Sequence, residues 1–524
     1  MIAEALAGKT ILVTGSTGFL GKTIVEKCLR SLPQVGRIEL AIRPGPRRVA
    51  AERLEREVLA SPAFRVLRQN LGEKAFARLA AEKLSVLELD LGVEGLGLDE
   101  KGRGRLKACD VVIHSAAAVE FDNPADLSAR TNVLGTARLI TELRRAGAAP
   151  HLVHVSTAYV GGMLRGQLKE ELPLDPGLNW RHEAEALTGL RAVVEEESRR
   201  PEELRRLSAQ ARSRMGPAGT PATARMVERL RQRWVKEALV ERGRARARAT
   251  GFTDIYSFTK ALAEHALVEL RGEIPLSIVR PSVIESALAE PFPGWLEGFR
   301  MAEPIILAFG RGVLTEFSGL PDGVIDIVPA DLVVSALLAV AASPPEGGHR
   351  IYHVASGTRN PLRFRGLYEQ SARYFAEHPL RDRHGQAIGT HTWTFPNRSQ
   401  LEARGRLALR ALEAAQWLAE RLPLGADGAE VSDRLHARIG HVERGLEFAE
   451  LYGVYTEVDG VFDTSHLMEL WGRLPEPDRA LLPFDPGLFD WTRYLQEVHL
   501  PTVVRMARAD TGQAAARQPT GGTA

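Results

Sequence analysis

The sequence predicts an α/β protein: a doubly wound parallel sheet, broken by a long helical insertion and followed by a mostly α C-terminal domain. Three observations carry this reading. Short β-branched runs alternate with helical patterns through roughly the first 360 residues, the signature of repeated βαβ units. Between about residues 165 and 250 that alternation gives way to long, charged, helix-forming sequence, and beyond roughly Pro361 it is lost altogether. At 524 residues the chain is also too long for a single compact core.

Taken in order, Ile11, Leu12 and Val13 form the first buried strand, which breaks at Gly15 and resumes as a helix near Gly18. Arg37 to Ile42 is the second strand and ends at Arg43-Pro44, and a charge-rich helical section runs on to about Lys83. Strand three is Ser85 to Leu89, strand four Val111 to His114 and strand five Leu152 to Val155, with a helix over Ala125 to Ala146 between the last two. The α/β pattern returns after the insertion with a helix from Ile255 to about Glu273 and a strand at Leu276 to Val279. It closes with Val324 to Val328, a helix over Asp331 to Ala342 and a last strand at Arg350 to Val354. Leu401 to Arg421 and Ser432 to Leu451 read as helices of the second domain, residues 361–508. Residues 509–524 are small and polar with Gly and Pro, and are expected to be disordered.

Composition narrows the function classes. A net charge of +2 gives no case for a nucleic-acid binder. Only two cysteines occur, Cys28 and Cys109, which argues for a reducing compartment and against a disulfide framework or a cysteine-based metal site; no metal is expected. The N-terminus leads straight into the first strand without a secretory signal. The most apolar stretch, Ile325 to Ala342, contains Asp326 and Asp331, so no segment reaches the length needed to span a bilayer. The expectation is a cytoplasmic protein, with at most peripheral contact to a membrane. Between Arg199 and Thr250, 15 Lys plus Arg face 5 Glu, which is either a solvated helical insertion or a surface for an anionic partner.

Three motifs carry chemistry. Glycines at 15, 18 and 21 follow a strand and open a helix, the order of a dinucleotide-binding turn in a Rossmann-like fold. Gly15 permits the turn, Gly18 lets a pyrophosphate approach the backbone, and Gly21 lets helix and strand pack closely, with the helix N-terminus offering its N–H groups to the phosphates. Strand two ends in Arg43 with no acid close behind, which favours the 2′-phosphate of NADPH over the ribose hydroxyls of NAD. Second, Ser156 and Thr157 stand just past the carboxyl end of strand five, where a hydroxyl can donate to an oxygen that becomes an oxyanion on hydride attack. Third, Tyr256 and Lys260 are four apart on a helix and share a face, so an ammonium could lower the pKa of the phenol.

These motifs in this order resemble the extended short-chain dehydrogenase/reductase superfamily, and within it the fatty acyl-coenzyme A reductases. Thr10 to Arg43, Ile255 to His265 (IYSFTKALAEH), Ile278 to Trp295 (IVRPSVIESALAEPFPGW) and Phe484 to Leu500 (FDPGLFDWTRYLQEVHL) carry the likeness, as does the long insertion. The resemblance implies that Ser16, Thr17, Phe19 and Leu20 supply turn backbone around the three glycines. It places Asp90 and Leu91 at the adenine, Ala116 and Ala117 under the nicotinamide ribose, and Asn132 at the helix asparagine of extended members. Pro281 and Val283 fall on the nicotinamide-side loop. It favours Thr157 as the catalytic hydroxyl with Ser156 next, beside Tyr256 and Lys260.

The activity implied is reduction of a long-chain fatty acyl-CoA by NADPH through a fatty aldehyde to the alcohol, as in bacterial members of this size. An aldehyde-forming enzyme or one acting on a carrier-protein thioester would use the same residues. A sugar-nucleotide epimerase shares the fold but gives no reason for the insertion. A cofactor-binding regulator without turnover would not need the full hydroxyl, Tyr and Lys set. For the acyl chain, Phe292 to Trp295 with Ile305, Ile306, Leu307 and Phe309 is the expected apolar lining.

Overall fold

The computed structural model describes residues 2–517 apart from 46–47, 163–164, 173–177, 216–219, 300–301, 315, 317, 383–384, 390–391, 420–430, 433, 437, 441, 447–452, 454–455 and 457–459; the side chains of 220 and 509–517 also lie outside the description. Its strands are β1 (Thr10–Thr14), β2 (Arg37–Ile42), β3 (Leu84–Glu88), β4 (Val111–His114), β5 (His151–Val155), β6 (Gly166–Leu168), β7 (Leu276–Pro281), β8 (Val283–Glu285), β9 (Ile327–Pro329), β10 (His349–Val354) and β11 (Gly460–Phe462). Seven of them form one sheet in the order β10-β7-β5-β4-β1-β2-β3, and every pairing in it is parallel. The strand order reverses on either side of β1, so the switch point of this doubly wound sheet lies between β1 and β4.

Sequence pattern explains the sheet. Parallel strands covered on both faces read as near-continuous apolar runs, and β4 and β5 are buried along their whole length. Alternate residues divide between two cores: Ile11, Val13, Ile113 and Val153 pack under the helices Phe19–Ser31 and Ala330–Ala341, while Leu12, Val112 and Leu152 pack against Leu139, Leu143 and Leu267 on the other face. The expected strands fall within a residue or two of the observed ones, except Val324 to Val328, where the strand proper is Ile327–Pro329. The helix expected over Ala125 to Ala146 is interrupted by a π-helical stretch, Ala129–Leu134, in which Asn132 lies. π-Bulges of this kind accompany functional sites.

The insertion is three helices, Trp180–Glu197, Pro201–Met215 and Thr220–Ala249. Its positive charge is partly cancelled by carboxylates on the helix that precedes the basic run. Arg231 pairs with Glu195 at 2.7 Å, Arg242 with Glu197 at 2.5 Å, and Arg246 with Glu183. This supports the solvated-insertion reading for the root of the hairpin, while Arg212, Arg214 and Arg225 at its far end are exposed.

After residue 361 the chain packs back on the sheet. Leu467, Leu470 and Phe484 join the core under Ala330–Ala341, and Tyr494, Leu495, Leu500 and Val503 join a second core with Ile306 and Phe364. Strand β11 pairs with β6, tying the C-terminal part to the start of the insertion. The helix expected from Leu401 runs Arg398–Ala419, and the one expected over Ser432 to Leu451 falls partly outside the described residues. The last helix, Leu500–Arg517, extends into the stretch expected to be disordered, of which residues 518–524 lie outside the described residues. Ala514, Ala515 and Ala516 are strong helix formers, which polar composition alone conceals.

Candidate active site

Because the whole sheet is parallel, the carboxyl ends of all its strands lie on one edge, and the residues expected in the site fall on the loops there, on the start of the helix Phe19–Ser31, on the Tyr-Lys helix and, for Asn132, in the π-helical stretch Ala129–Leu134. At the end of β1, Gly15 has φ +72° and a Cβ on it would sit 2.8 Å from the Ala116 nitrogen. A Cβ on Gly21 would sit 2.3 Å from the Gly15 carbonyl oxygen. Both positions exclude a side chain because backbone fills the space. Gly18 differs: its nearest neighbour would be 3.4 Å away, so its bareness serves whatever approaches from outside. Gly18 caps the helix Phe19–Ser31 with extended backbone and no side-chain cap, which leaves the first-turn N–H groups of Phe19, Leu20 and Gly21 open, next to Thr17. Ser16 is fully buried and its Oγ has no partner among the described residues. An orphaned hydroxyl beside a bare turn and an uncapped helix fits a pyrophosphate.

The other loops complete the cofactor edge. Arg43 is the first residue past β2 and is exposed. Asp90, two residues past β3, accepts from the Gly92 nitrogen at 2.8 Å in a turn that also holds Leu91, whose carbonyl accepts from Arg138. Past β4, the Ala116 nitrogen donates to Thr14 Oγ1 at 3.1 Å, with Ala117 next to it. Pro281 ends β7, and Val283 starts β8, where its nitrogen donates to the Asp326 carbonyl.

A buried hydrogen-bond chain joins this edge to the reactive one. Thr14 Oγ1 lies 2.7 Å from His114 Nδ1, and His114 Nε2 lies 3.0 Å from Thr136 Oγ1, which donates to the Asn132 carbonyl at 2.6 Å. Since the Thr136 proton is used on Asn132, its oxygen accepts from His114 Nε2–H, and Nδ1 accepts from Thr14. Burial holds the His114 pKa down to about 3, so this neutral tautomer persists. The Asn132 side chain exchanges bonds with the backbone of Ala118 and donates to Thr259 Oγ1 at 3.0 Å. Asn132 therefore positions the Tyr-Lys helix.

That helix, Ile255–Leu270, is capped by Asp254, whose carboxylate accepts from the Ser257 nitrogen at 2.8 Å. It is anchored further along by a buried pair between Glu264 and Arg280 of β7. Lys260 is buried, and its Nζ donates to the Val155 carbonyl at 2.7 Å, at the end of β5. Burial pulls its pKa down to about 8. Tyr256, partly exposed, lies edge-on to Phe121 with ring centres 6.1 Å apart. Its pKa is raised, by burial first and then by the Asp254 carboxylate, and Lys260 does not offset this. The expectation that Lys260 lowers the phenol pKa is therefore not met in this arrangement: the ammonium is turned to the Val155 carbonyl. Thr157 Oγ1 accepts from the Tyr159 nitrogen at 3.3 Å, which leaves its proton available, whereas the buried Ser156 Oγ has no partner among the described residues.

An apolar cavity of about 60 Å³ is lined by Tyr159, two residues past Thr157, and by Val283, Ile305, Ile306, Phe364 and Trp393 among others. The residues expected to line an acyl slot divide between two places. Ile305 and Ile306 line it, and Leu307 and Phe309 pack in the core behind it. Phe292 and Trp295 instead pack on the helix after the glycine turn, where the Trp295 indole N–H donates to Thr23 Oγ1 at 2.9 Å and its ring lies 5.8 Å from Phe19. A buried indole needs an acceptor, and Thr23 supplies it. Sequence reading also missed Asp254, although an Asp just before a helix with Ser three residues on is a cap signal, and the Thr14–His114–Thr136 chain, which no local pattern announces.

Sheet, turn and Tyr-Lys helix together define a dinucleotide-binding oxidoreductase. The family model described as "Male sterility protein" matches residues 13–337. "Fatty acyl-CoA reductase 1" of Arabidopsis thaliana is 32% identical over 96% of this chain and 98% of its own length. The "Alcohol-forming fatty acyl-CoA reductase" of Simmondsia chinensis is also 32% identical, with the same shares covered. Among solved structures, the terminal R domain of the myxalamid PKS-NRPS pathway is 18% identical with a TM-score of 0.56, covering 95% of this chain and 91% of that one, a likeness of fold. This chain belongs to the male sterility, or fatty acyl-CoA reductase, family.

Proposed function

We propose that this protein reduces a long-chain fatty acyl-CoA with NADPH, first to the fatty aldehyde and then to the alcohol, releasing CoA. One observation supports the reading: the Lys260 ammonium donates to the Val155 carbonyl at the carboxyl end of β5, next in sequence to the Ser156 and Thr157 hydroxyls and one turn from Tyr256 on its own helix. The names of the relatives above, alcohol-forming in one case, support it. Arg43, exposed at the end of β2 without a neighbouring acid, supports NADPH over NADH.

When bound, the dihydronicotinamide supplies one hydride per two-electron step. Thr157 and Tyr256 donate hydrogen bonds to the thioester oxygen as it takes up negative charge. The C–S bond then breaks, CoA leaves as the thiolate and an aldehyde remains. In the second step Tyr256 gives its proton to the alkoxide. A phenol whose pKa is raised stays protonated at neutral pH, which suits a donor in the reductive direction. Lys260 holds the ribose. Residues 1–360 form the cofactor unit, and the helical part over 361–508 contributes Phe364 and Trp393 to the acyl slot. Among the described residues no helix is long and apolar enough to cross a membrane.

The test is to follow NADPH oxidation with palmitoyl-CoA and to identify the product. Two NADPH per thioester with hexadecanol formed supports the full route, and one with aldehyde released limits it to the first step. No oxidation with any acyl-CoA, alongside oxidation with the same acyl group on a carrier-protein pantetheine arm, moves the substrate to the carrier thioester.

A further inference from the structure

Arg53 and Glu57 lie four apart on the helical segment that follows β2, where Ala50–Arg53 passes into the π-helical stretch Leu54–Leu59. Their contact is a closed fork: Arg53 Nε donates to Glu57 Oε1 at 3.0 Å and Nη2 donates to Oε2 at 2.7 Å. A surface pair at this spacing is ordinarily solvated and of little consequence. Here the guanidinium makes a third bond that leaves the helix. Its Nη1 donates to the Arg43 carbonyl at 2.6 Å. One side chain therefore ties the end of β2, where Arg43 stands, to a carboxylate from further along the chain.

That carboxylate matters because of where it stands. An acid at the end of the second strand of such a fold accepts from ribose hydroxyls, and its charge repels a phosphate. No acid follows Arg43 closely in sequence, but folding brings Glu57 to the same edge. The Arg53 bond holds the Glu57 carboxyl below the usual carboxylate range, and the charges of Arg48 and of Lys22, the residue after Gly21, act the same way. Glu57 thus stays ionised among the cations that border the cofactor edge. Both its oxygens are engaged by Arg53, while Arg43 and Arg48 are exposed.

We infer that Arg53 sets the preference for NADPH over NADH: its fork masks the Glu57 carboxylate, and its third bond holds Arg43 where a 2′-phosphate arrives. Arg53 is a positioning residue, acting through Glu57 and Arg43. The inference rests on the proposed NADPH reading and adds to it the residue on which the preference turns.

The test is the dissociation constant of NADPH and of NADH, followed by cofactor fluorescence, in full-length wild type, Arg53→Met, Glu57→Gln and the double variant. In Arg53→Met the freed carboxylate should weaken NADPH by roughly tenfold or more and leave NADH nearly unchanged. Adding Glu57→Gln should return roughly threefold or more of the lost NADPH affinity and change nothing for NADH. A merely structural Arg53 would move both cofactors together, and Glu57→Gln would not repair the loss. Glu57→Gln alone keeps Arg53 and its bond to Arg43, and it decides the matter if Arg53→Met does not fold. Losing a negative charge beside a phosphate should tighten NADPH by roughly threefold at low salt, with NADH unmoved. Equal loss of both cofactors in a folded Arg53→Met, no recovery in the double variant, or equal effects on both cofactors in Glu57→Gln overturns the inference. A wild type that binds NADH as tightly as NADPH removes the NADPH reading and the inference with it. A wild type that prefers NADPH, with that preference unchanged in Arg53→Met, removes the inference alone.

Discussion

Around the glycine turn the surfaces that meet the cofactor are backbone, and their shape comes from side chains being absent. Around the Tyr-Lys helix the working groups are side chains, carried on a helix that several neighbours hold. A Cβ at Gly21 would meet the Gly15 carbonyl at 2.3 Å, with nothing flexible to move aside. Lys260, by contrast, is held by one bond to the Val155 carbonyl on a helix that Asp254, Asn132 and Glu264 fix from three directions. The first half should fail all at once under a single methyl group. The second should lose chemistry while keeping its shape.

The largest effect expected is therefore at Gly21. Gly21→Ala should remove NADPH binding altogether, as followed by cofactor fluorescence, and lower the melting temperature, because the helix cannot pack on the turn. Gly18→Ala, whose Cβ meets nothing closer than 3.4 Å, should keep the wild-type melting temperature and lose cofactor affinity alone. If both variants behave alike, the division between a packing glycine and a ligand-facing glycine is wrong.

Next comes Tyr256→Phe. Removing a proton donor costs roughly a hundred- to ten-thousandfold in kcat, and with Phe121 still packing on the ring the NADPH dissociation constant should stay near wild type. Unchanged turnover would take Tyr256 out of the site. The two hydroxyls past β5 rank below it. Losing an oxyanion donor costs about a hundred- to a thousandfold, and Thr157→Ala should show this while Ser156→Ala shows much less. The reverse order would give the role to Ser156, whose buried Oγ is the one without a partner among the described residues.

The same division explains what the sequence made legible. The strands and the glycine turn rest on local rules, so β2 and β4 fall on their expected residues and the turn needs only its three glycines. Tyr256 and Lys260 share a face by helical spacing alone, which is local too. What stayed hidden depends on partners far along the chain. Thr136, His114 and Thr14 form one chain only because β1 and β4 pair. Trp295 reads as apolar lining until Thr23, far away in sequence, offers its hydroxyl. The positive excess of the insertion is real, yet Glu183, Glu195 and Glu197, lying just before the counted stretch, cancel part of it.

At the rim of the cofactor half, Arg43→Ala should raise the Michaelis constant for NADPH and leave that for NADH nearly unchanged. A charge-assisted contact to a phosphate contributes about 1.5–3 kcal/mol, or roughly one to two powers of ten in affinity. Equal effects on the two cofactors would remove the 2′-phosphate role.

The smallest effect sharpens the reactive half by pH. Burial draws the Lys260 pKa down to about 8 in the free enzyme, with Glu264 pulling weakly the other way. The protonated form is the one that offers three donors to a ribose. Activity should therefore be present below about pH 8 and fall as pH rises through it, tenfold per unit in kcat/KM once the ammonium is mostly lost. His114 and His154, kept neutral by burial and the nearby ammonium, should add no second limb near neutrality, and the Tyr256 phenol titrates above its ordinary value. Lys260→Arg, which cannot lose its proton, should abolish the alkaline limb while retaining some turnover. An unshifted limb in Lys260→Arg would assign it to another group and leave Lys260 as a structural donor to Val155.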